Sequence, residues 1–330
     1  MTGTENSDTS LNSAAESDFE NEKSPLTLEN APLSQTVFWG PHGLRAGWSA
    51  LLFASIFLGI LFGLTAGVGL TLKHLHHHMG TVGAAEMSPT TGYISESILL
   101  ASALLATLVM SLMEGKSILS YGLGGTSRAR HFITGLLTGF GFMSLLIGIL
   151  IATHHVQLAA PAFHAAALWK YAALWAGVFL LVGLAEECLL RGYLLFAIAR
   201  GLRFRTAALL LAVLFAALHK SNPGESPFGL AAAAAAALVF SLSLWRIGSL
   251  WWAIGFHAAW DWAQSFFYGT RDSGILSQGH MMTAHPLGSV WLSGGATGPE
   301  GSVWCALVLA LAAGWVMLTQ KKVSTTNDAS

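Results

Sequence analysis

Six ionisable side chains stand well inside apolar runs of this 330-residue chain: Glu186, Glu187, Arg191, His219, His257 and Asp261. On insertion scales a charged group at mid-membrane depth costs about 3 kcal/mol, so each needs a reason to be kept. A glutamate with histidines can take a proton from water and hold the hydroxide that results, which is the chemistry of a hydrolase. Two histidines and a carboxylate can also form the ligand set of a hydrolytic zinc site, with a fourth position left for water.

Spacing divides the six. On a helix turning about 100° per residue, Glu187 and Arg191 are an i,i+4 pair that can neutralise each other, whereas Glu186 projects away from Arg191. Glu187 and Arg191 therefore read first as a structural ion pair, and Glu186 as a carboxylate without a local partner. His257 and Asp261 are again i,i+4, so Asp261 can accept a hydrogen bond from the imidazole and fix its tautomer. His219 closes the stretch Phe215-Ala-Ala-Leu-His219. A lone histidine between apolar helices is often a simple hydrogen-bond former. Two of them with a spare glutamate favour a site.

The elements that must position these groups are transmembrane helices. The chain is 53% hydrophobic and 10% charged, whereas soluble domains carry about a quarter charged residues. Crossing a hydrocarbon core takes roughly 20 apolar residues per helix. Such runs lie near 46–72, 93–113, 132–152, 168–199, 206–219, 228–245, 249–268 and 302–320, which predicts an all-α polytopic transmembrane bundle of about eight helices. The fourth run is too long for one straight span and should tilt or bend near Gly183 or Gly192. At about 1.5 Å per residue, Glu186 and His219 should each lie about 21 Å from Arg200 and Arg205, and His257 about 16 Å from Arg246, so three helices deliver their groups to similar depth. Glu96 and Lys170 are expected at span ends. The run Ala231 to Ala237 reads as a close-packing face or as simple low complexity.

Residues 1–44 are polar and acidic and read as a disordered cytoplasmic tail with no cleavable signal peptide. The remaining organisation is read as N-terminal helices over 45–160, a catalytic core over 161–270, an outer loop over 271–301, and a last helix with a short tail over 302–330. Lys and Arg gather in alternate loops, which puts both termini in the cytoplasm of a cell inner or plasma membrane. Cys188 and Cys305 both lie in apolar runs and argue against a disulfide framework. With net charge near zero and no basic stripe, nucleic acid is not expected as a partner. His74, His76, His77 and His78 sit at a span end and read as interfacial.

The three stretches Glu186-Glu187-Cys-Leu-Leu-Arg191, Phe215-Ala-Ala-Leu-His219 and His257-Ala-Ala-Trp-Asp261, in this order, resemble the EExxxR, FxxxH and HxxxN/D motifs of the CPBP family. These are the CAAX protease and bacteriocin-processing (Abi) intramembrane endopeptidases, akin to CAAX prenyl protease 2. The resemblance covers about residues 168–268. It implies eight helices around a polar cavity and hydrolysis of a peptide bond, with Glu186 and His219 activating water and His257 with residue 261 stabilising the oxyanion. Position 261 is Asp, where some members carry Asn. A carboxylate donates only when protonated, so here Asp261 is expected to orient His257.

The leading reading is an intramembrane endopeptidase acting on a membrane-associated protein or peptide, with membrane lipid as its surroundings. The alternatives are a non-catalytic membrane scaffold or bacteriocin self-immunity protein of the same fold, and a proton- or ion-coupled transporter, the last disfavoured by the lack of internal repeats. No cofactor is assigned, and a divalent metal, zinc, is the one candidate. If a divalent metal such as zinc is bound, Glu186, His219 and His257 are the ligands, but then no second carboxylate is left as base, because Glu187 is committed to Arg191. The reading therefore leans to a metal-free site.

Overall fold

The structure is a computed structural model that describes residues 37–40, 43–74, 85–159 and 165–320. The acidic tail up to residue 36, His76, His77 and His78, and Lys321 and Lys322, on which parts of the sequence reading rest, lie outside them. Trp39–Gly40 (β1) and Gly43–Leu44 (β2) pair as an antiparallel hairpin in the unit that ends at Arg45. From Ala46 onward the chain forms a second unit, an all-α polytopic membrane bundle.

Eight long helices make this bundle among the described residues: α1 (Ala46–His74), α2 (Pro89–Met113), α3 (Arg128–Ala152), α4 (Ala165–Leu190), α5 (Tyr193–His219), α6 (Pro227–Ile247), α7 (Trp251–Asp261), which runs on as a π-helical stretch over Trp262–Phe267, and α8 (Val303–Thr319). Five stretches are long and apolar enough to cross a membrane by length and composition, with 167–219 counted as one; Val303–Thr319 is apolar but shorter. Local sequence sets the helix ends. Ser88 accepts from Thr91 N at 3.2 Å and Ser226 from Gly229 N at 3.0 Å, each just before a proline in the first turn, and Gly248 closes α6 at φ 71°.

The fourth and fifth spans differ from the sequence reading. The expected helix over 168–199 ends at Leu190, and the expected span over 206–219 is the second part of a helix that begins at Tyr193 and has a non-helical residue, Arg203 (φ 60°, ψ 149°), inside it. Both flanks of the break are apolar, so hydrophobicity does not mark it. The break falls at Gly192, one of the two positions considered, where an added Cβ would collide with the Cys188 carbonyl. The depth estimate for Glu186, which assumed a continuous helix to Arg200, does not carry across it.

Gly183 has a different use. Helix α7 is held by backbone-to-backbone contact on two sides: a Cβ on Gly135 or Gly139 of α3 would strike the carbonyl of Trp252 or Phe256, and one on Gly183 of α4 would come within 2.9 Å of the Ile254 carbonyl. Small residues four apart allow helices to approach this closely where lipid offers no hydrophobic drive. His257 and Asp261 on α7 are thereby brought beside Glu186 and Glu187 on α4.

The loops predicted to share one side of the membrane do share one end of the bundle. Glu86–Met87 (β3) pairs with Leu276–Ser277 (β5), Val156–Ala159 (β4) with Thr283–Pro286 (β6), and Thr297 donates to the Gly224 carbonyl at 2.9 Å. Residues 271–301 are thus tied to the other loops of that end. At the opposite end Ser49, Glu114 and Arg200 converge, with Arg200 2.8 Å from Glu114 and 3.2 Å from Ser49.

Candidate active site

The buried ion pair comes first, because it fixes the rest. Glu187, on the last turn of α4, and Arg191, just past its end, are fully buried, and Glu187 Oε1 accepts from Arg191 Nη1 at 3.1 Å. The guanidinium lies 4.7 Å from the centre of the Phe215 ring and 5.6 Å from that of Phe240. A buried arginine between two aromatic faces keeps part of the stabilisation it loses with water. The same Glu187 oxygen lies 3.1 Å from His257 Nδ1.

That contact revises the expected roles. Glu187 serves not only Arg191; it also holds the imidazole of His257 from the Nδ1 side. Asp261 lies 3.6 Å from His257 Nε2, beyond a good hydrogen bond, and Glu186 Oε2 lies at 3.6 Å from the same nitrogen. Orientation of His257 is therefore set by Glu187, with Phe240 stacked on the ring at 5.1 Å. Asp261 instead shares the open face of the imidazole with Glu186. An i,i+4 spacing brings Asp261 to Nε2 at 3.6 Å, while Glu187 on a neighbouring helix makes the shorter contact, to Nδ1 at 3.1 Å.

His219, at the end of α5, has Nδ1 2.8 Å from the Phe215 carbonyl. A carbonyl only accepts, so Nδ1 carries a proton, and in the neutral ring Nε2 presents a lone pair. Glu186, His219, His257 and Asp261, delivered by three helices, line one cavity of about 170 Å3, whereas Glu187 and Arg191 lie behind its wall. Glu186 Oε2 is buried and has no hydrogen-bond partner among the described residues.

The cavity has lining residues that the sequence reading did not select. Glu96 of α2, expected at an interface, faces it, as do Asp272, Ser273 and Glu300 from the 271–301 segment and Asn222 after α5. Asp272 accepts from Ser265 Oγ at 3.0 Å; Glu300 accepts from Trp260 Nε1 at 3.3 Å and from Ser273 N and Oγ at 3.1 and 3.2 Å. Burial, and then the charges of Asp261 and Glu300, push the Asp272 carboxyl well above the usual carboxylate range. The alanine run has a use as well: Ala232, Ala233 and Ala236 form one wall, where larger side chains would fill the space.

Glu186, His219 and His257 would be the ligands only if a metal were bound. Among the described residues no three His, Cys, Asp or Glu side chains converge as a metal site, so Glu186, His219 and His257 do not fit a zinc ion in this arrangement.

Fold and cavity together define a polytopic helical membrane protein with a group of ionisable side chains enclosed in its bundle. Residues 168–263 match the family model described as "Type II CAAX prenyl endopeptidase Rce1-like". The matched stretch contains all three motifs, which bears out the family resemblance read from them. No curated protein matches the chain.

Proposed function

We propose that the protein is an intramembrane endopeptidase of a cell inner or plasma membrane, with both termini cytoplasmic, which hydrolyses a peptide bond of a membrane-associated protein or peptide. The observation that carries this reading is the unpartnered Glu186 oxygen beside His257 in a cavity that His219 also lines. Glu186 takes a proton from a water that His219 Nε2 helps to hold, and the hydroxide adds to the scissile carbonyl carbon. His257, when protonated, keeps Nδ1–H on Glu187 and turns Nε2–H to the cavity, where it can hold the oxyanion. The proton on Glu186 then passes to the departing amine as the C–N bond breaks. The match of residues 168–263 to a family model described as an endopeptidase supports the same reaction class.

The test is mass-spectrometric analysis of a peptide library incubated with the purified, membrane-reconstituted protein. Defined fragments are expected from wild type, with activity surviving a strong chelator, and His219→Ala should lower the rate about 10²- to 10⁴-fold. Fragments that persist unchanged in His219→Ala, or activity that disappears with bound zinc on chelation and returns on its addition, would contradict the proposed roles.

A further inference from the structure

We infer that this cavity selects a substrate with a lysine or arginine side chain beside the scissile bond, and that Glu300 and Asp272 set the preference. The inference rests on the peptidase reading above and adds a substrate class to it.

Five carboxylates face the cavity, Glu96, Glu186, Asp261, Asp272 and Glu300, and no lysine or arginine among the described residues lines it. The two arginines closest in sequence to these groups are engaged elsewhere. Arg191 is bonded to Glu187, and Arg271 Nη1 donates to the carbonyls of Ala85 and Gly274 at 3.3 and 2.9 Å. His219 and His257 are the lining groups able to carry positive charge, and His257 already faces Glu186, Glu187 and Asp261. Two imidazoles cannot balance five carboxylates, and Asp272, held above the usual range by burial and its carboxylate neighbours, gives up its proton only when a cation enters.

A separate observation points to a missing donor. The Asp261 side chain is 8% exposed, and no described residue donates a hydrogen bond to it. The Asp261 carboxylate lines the cavity with only the longer 3.6 Å approach of His257 Nε2, so a donor that enters the cavity meets an acceptor with free capacity. Glu300, by contrast, is held in place by Trp260 and Ser273, so its charge has a fixed position at the cavity wall.

The remaining wall is apolar, formed by Phe179, Val182, Phe240 and Ala236 among others. Lysine and arginine join an apolar stem to a cationic head that donates three or five hydrogen bonds, so the stem suits these walls and the head suits the carboxylates. An uncharged aliphatic residue would satisfy the walls alone, and an acidic one would be repelled.

The experiment compares reconstituted wild-type protein on matched peptides that differ at one residue next to the cleaved bond: lysine against norleucine, and arginine against citrulline. The cationic member of each pair should be cleaved with kcat/KM about 10-fold higher or more, the factor expected of one charged hydrogen bond. Glu300→Gln and Asp272→Asn should each reduce that ratio, a readout that a purely structural role would leave unmoved. Two variants are used so that one failing to fold does not decide the matter. Equal cleavage within each pair would overturn the inference while leaving the peptidase reading intact. If no peptide is cut, the peptidase reading falls, and binding of the same lysine and norleucine peptides to wild-type protein decides the inference: equal affinity refutes it.

Discussion

Two carboxylate clusters in this bundle are completed in opposite ways. At one end, Glu114 accepts from Tyr121 at 3.0 Å, from Tyr193, and from Arg200 at 2.8 Å, with Lys116 at 3.5 Å, so both of its oxygens are used. These bonds join α2, α5 and the loop after α2. In the cavity, Glu186 has a buried oxygen without a partner and Asp261 receives no hydrogen bond. A polar group whose needs are met within the protein ties elements together; one whose needs are not met is poised for something that enters. Between the two stands Glu187, behind the cavity wall: its Oε1 is shared by Arg191 and His257 while its buried Oε2 has no partner among the described residues, so it supports the reacting groups without facing the cavity.

Arg191→Ala would sharpen that distinction most. It strips a fully buried carboxylate of its cation, and losing one partner of such a pair costs about 3–5 kcal/mol. Accumulation in the membrane and the melting temperature in detergent should both fall far below wild type. Wild-type melting of the variant would show that Glu187 is adequately held by His257 alone and would break the division drawn here.

The pH dependence of stability gives a smaller effect with opposite signs at two carboxylates. Burial alone would raise the Glu114 carboxyl, but the hydrogen bonds from Arg200, Tyr193 and Tyr121 prevail and hold it below the usual range. Its contribution is therefore present at neutral pH and is lost as pH falls through the lowered value. Asp272, raised by burial and then by Asp261 and Glu300, behaves in reverse: its contribution is present in acid and is lost as pH rises through the raised value. In melting curves across pH, Glu114→Gln should flatten the acid limb and Asp272→Asn the alkaline one. Identical profiles for the two variants would contradict the contrast.

The sequence made the helices and the three motif stretches readable because both signals are local: apolar runs of membrane length, and ionisable residues conspicuous within them. What it hid depends on contact between distant segments. The bond from Glu187 to His257 spans 70 residues, so i,i+4 reasoning assigned each to its nearer partner. Asp272 and Glu300 lie in a Gly- and Ser-rich segment with no periodicity, where a charged residue is unremarkable until the chain folds back over the cavity. Gly135 and Gly139 were not singled out in the sequence, and only their approach to Trp252 and Phe256 shows which helix they admit. The break at Gly192 lies between two apolar flanks and has no hydropathy signature.

The most direct test of the account is a paired measurement on Glu186→Gln and Glu114→Gln, reading peptide cleavage and melting temperature on the same purified samples. Glu186→Gln should lose about 10²- to 10⁴-fold in cleavage rate, with its melting temperature within about 2 °C of wild type. Glu114→Gln should lose about 1–2 kcal/mol of stability through weakened charged hydrogen bonds, while each folded molecule cleaves at the wild-type rate. If Glu186→Gln retains full cleavage, or if the two variants lose stability and activity together, the division between a satisfied structural cluster and an open reactive one is wrong.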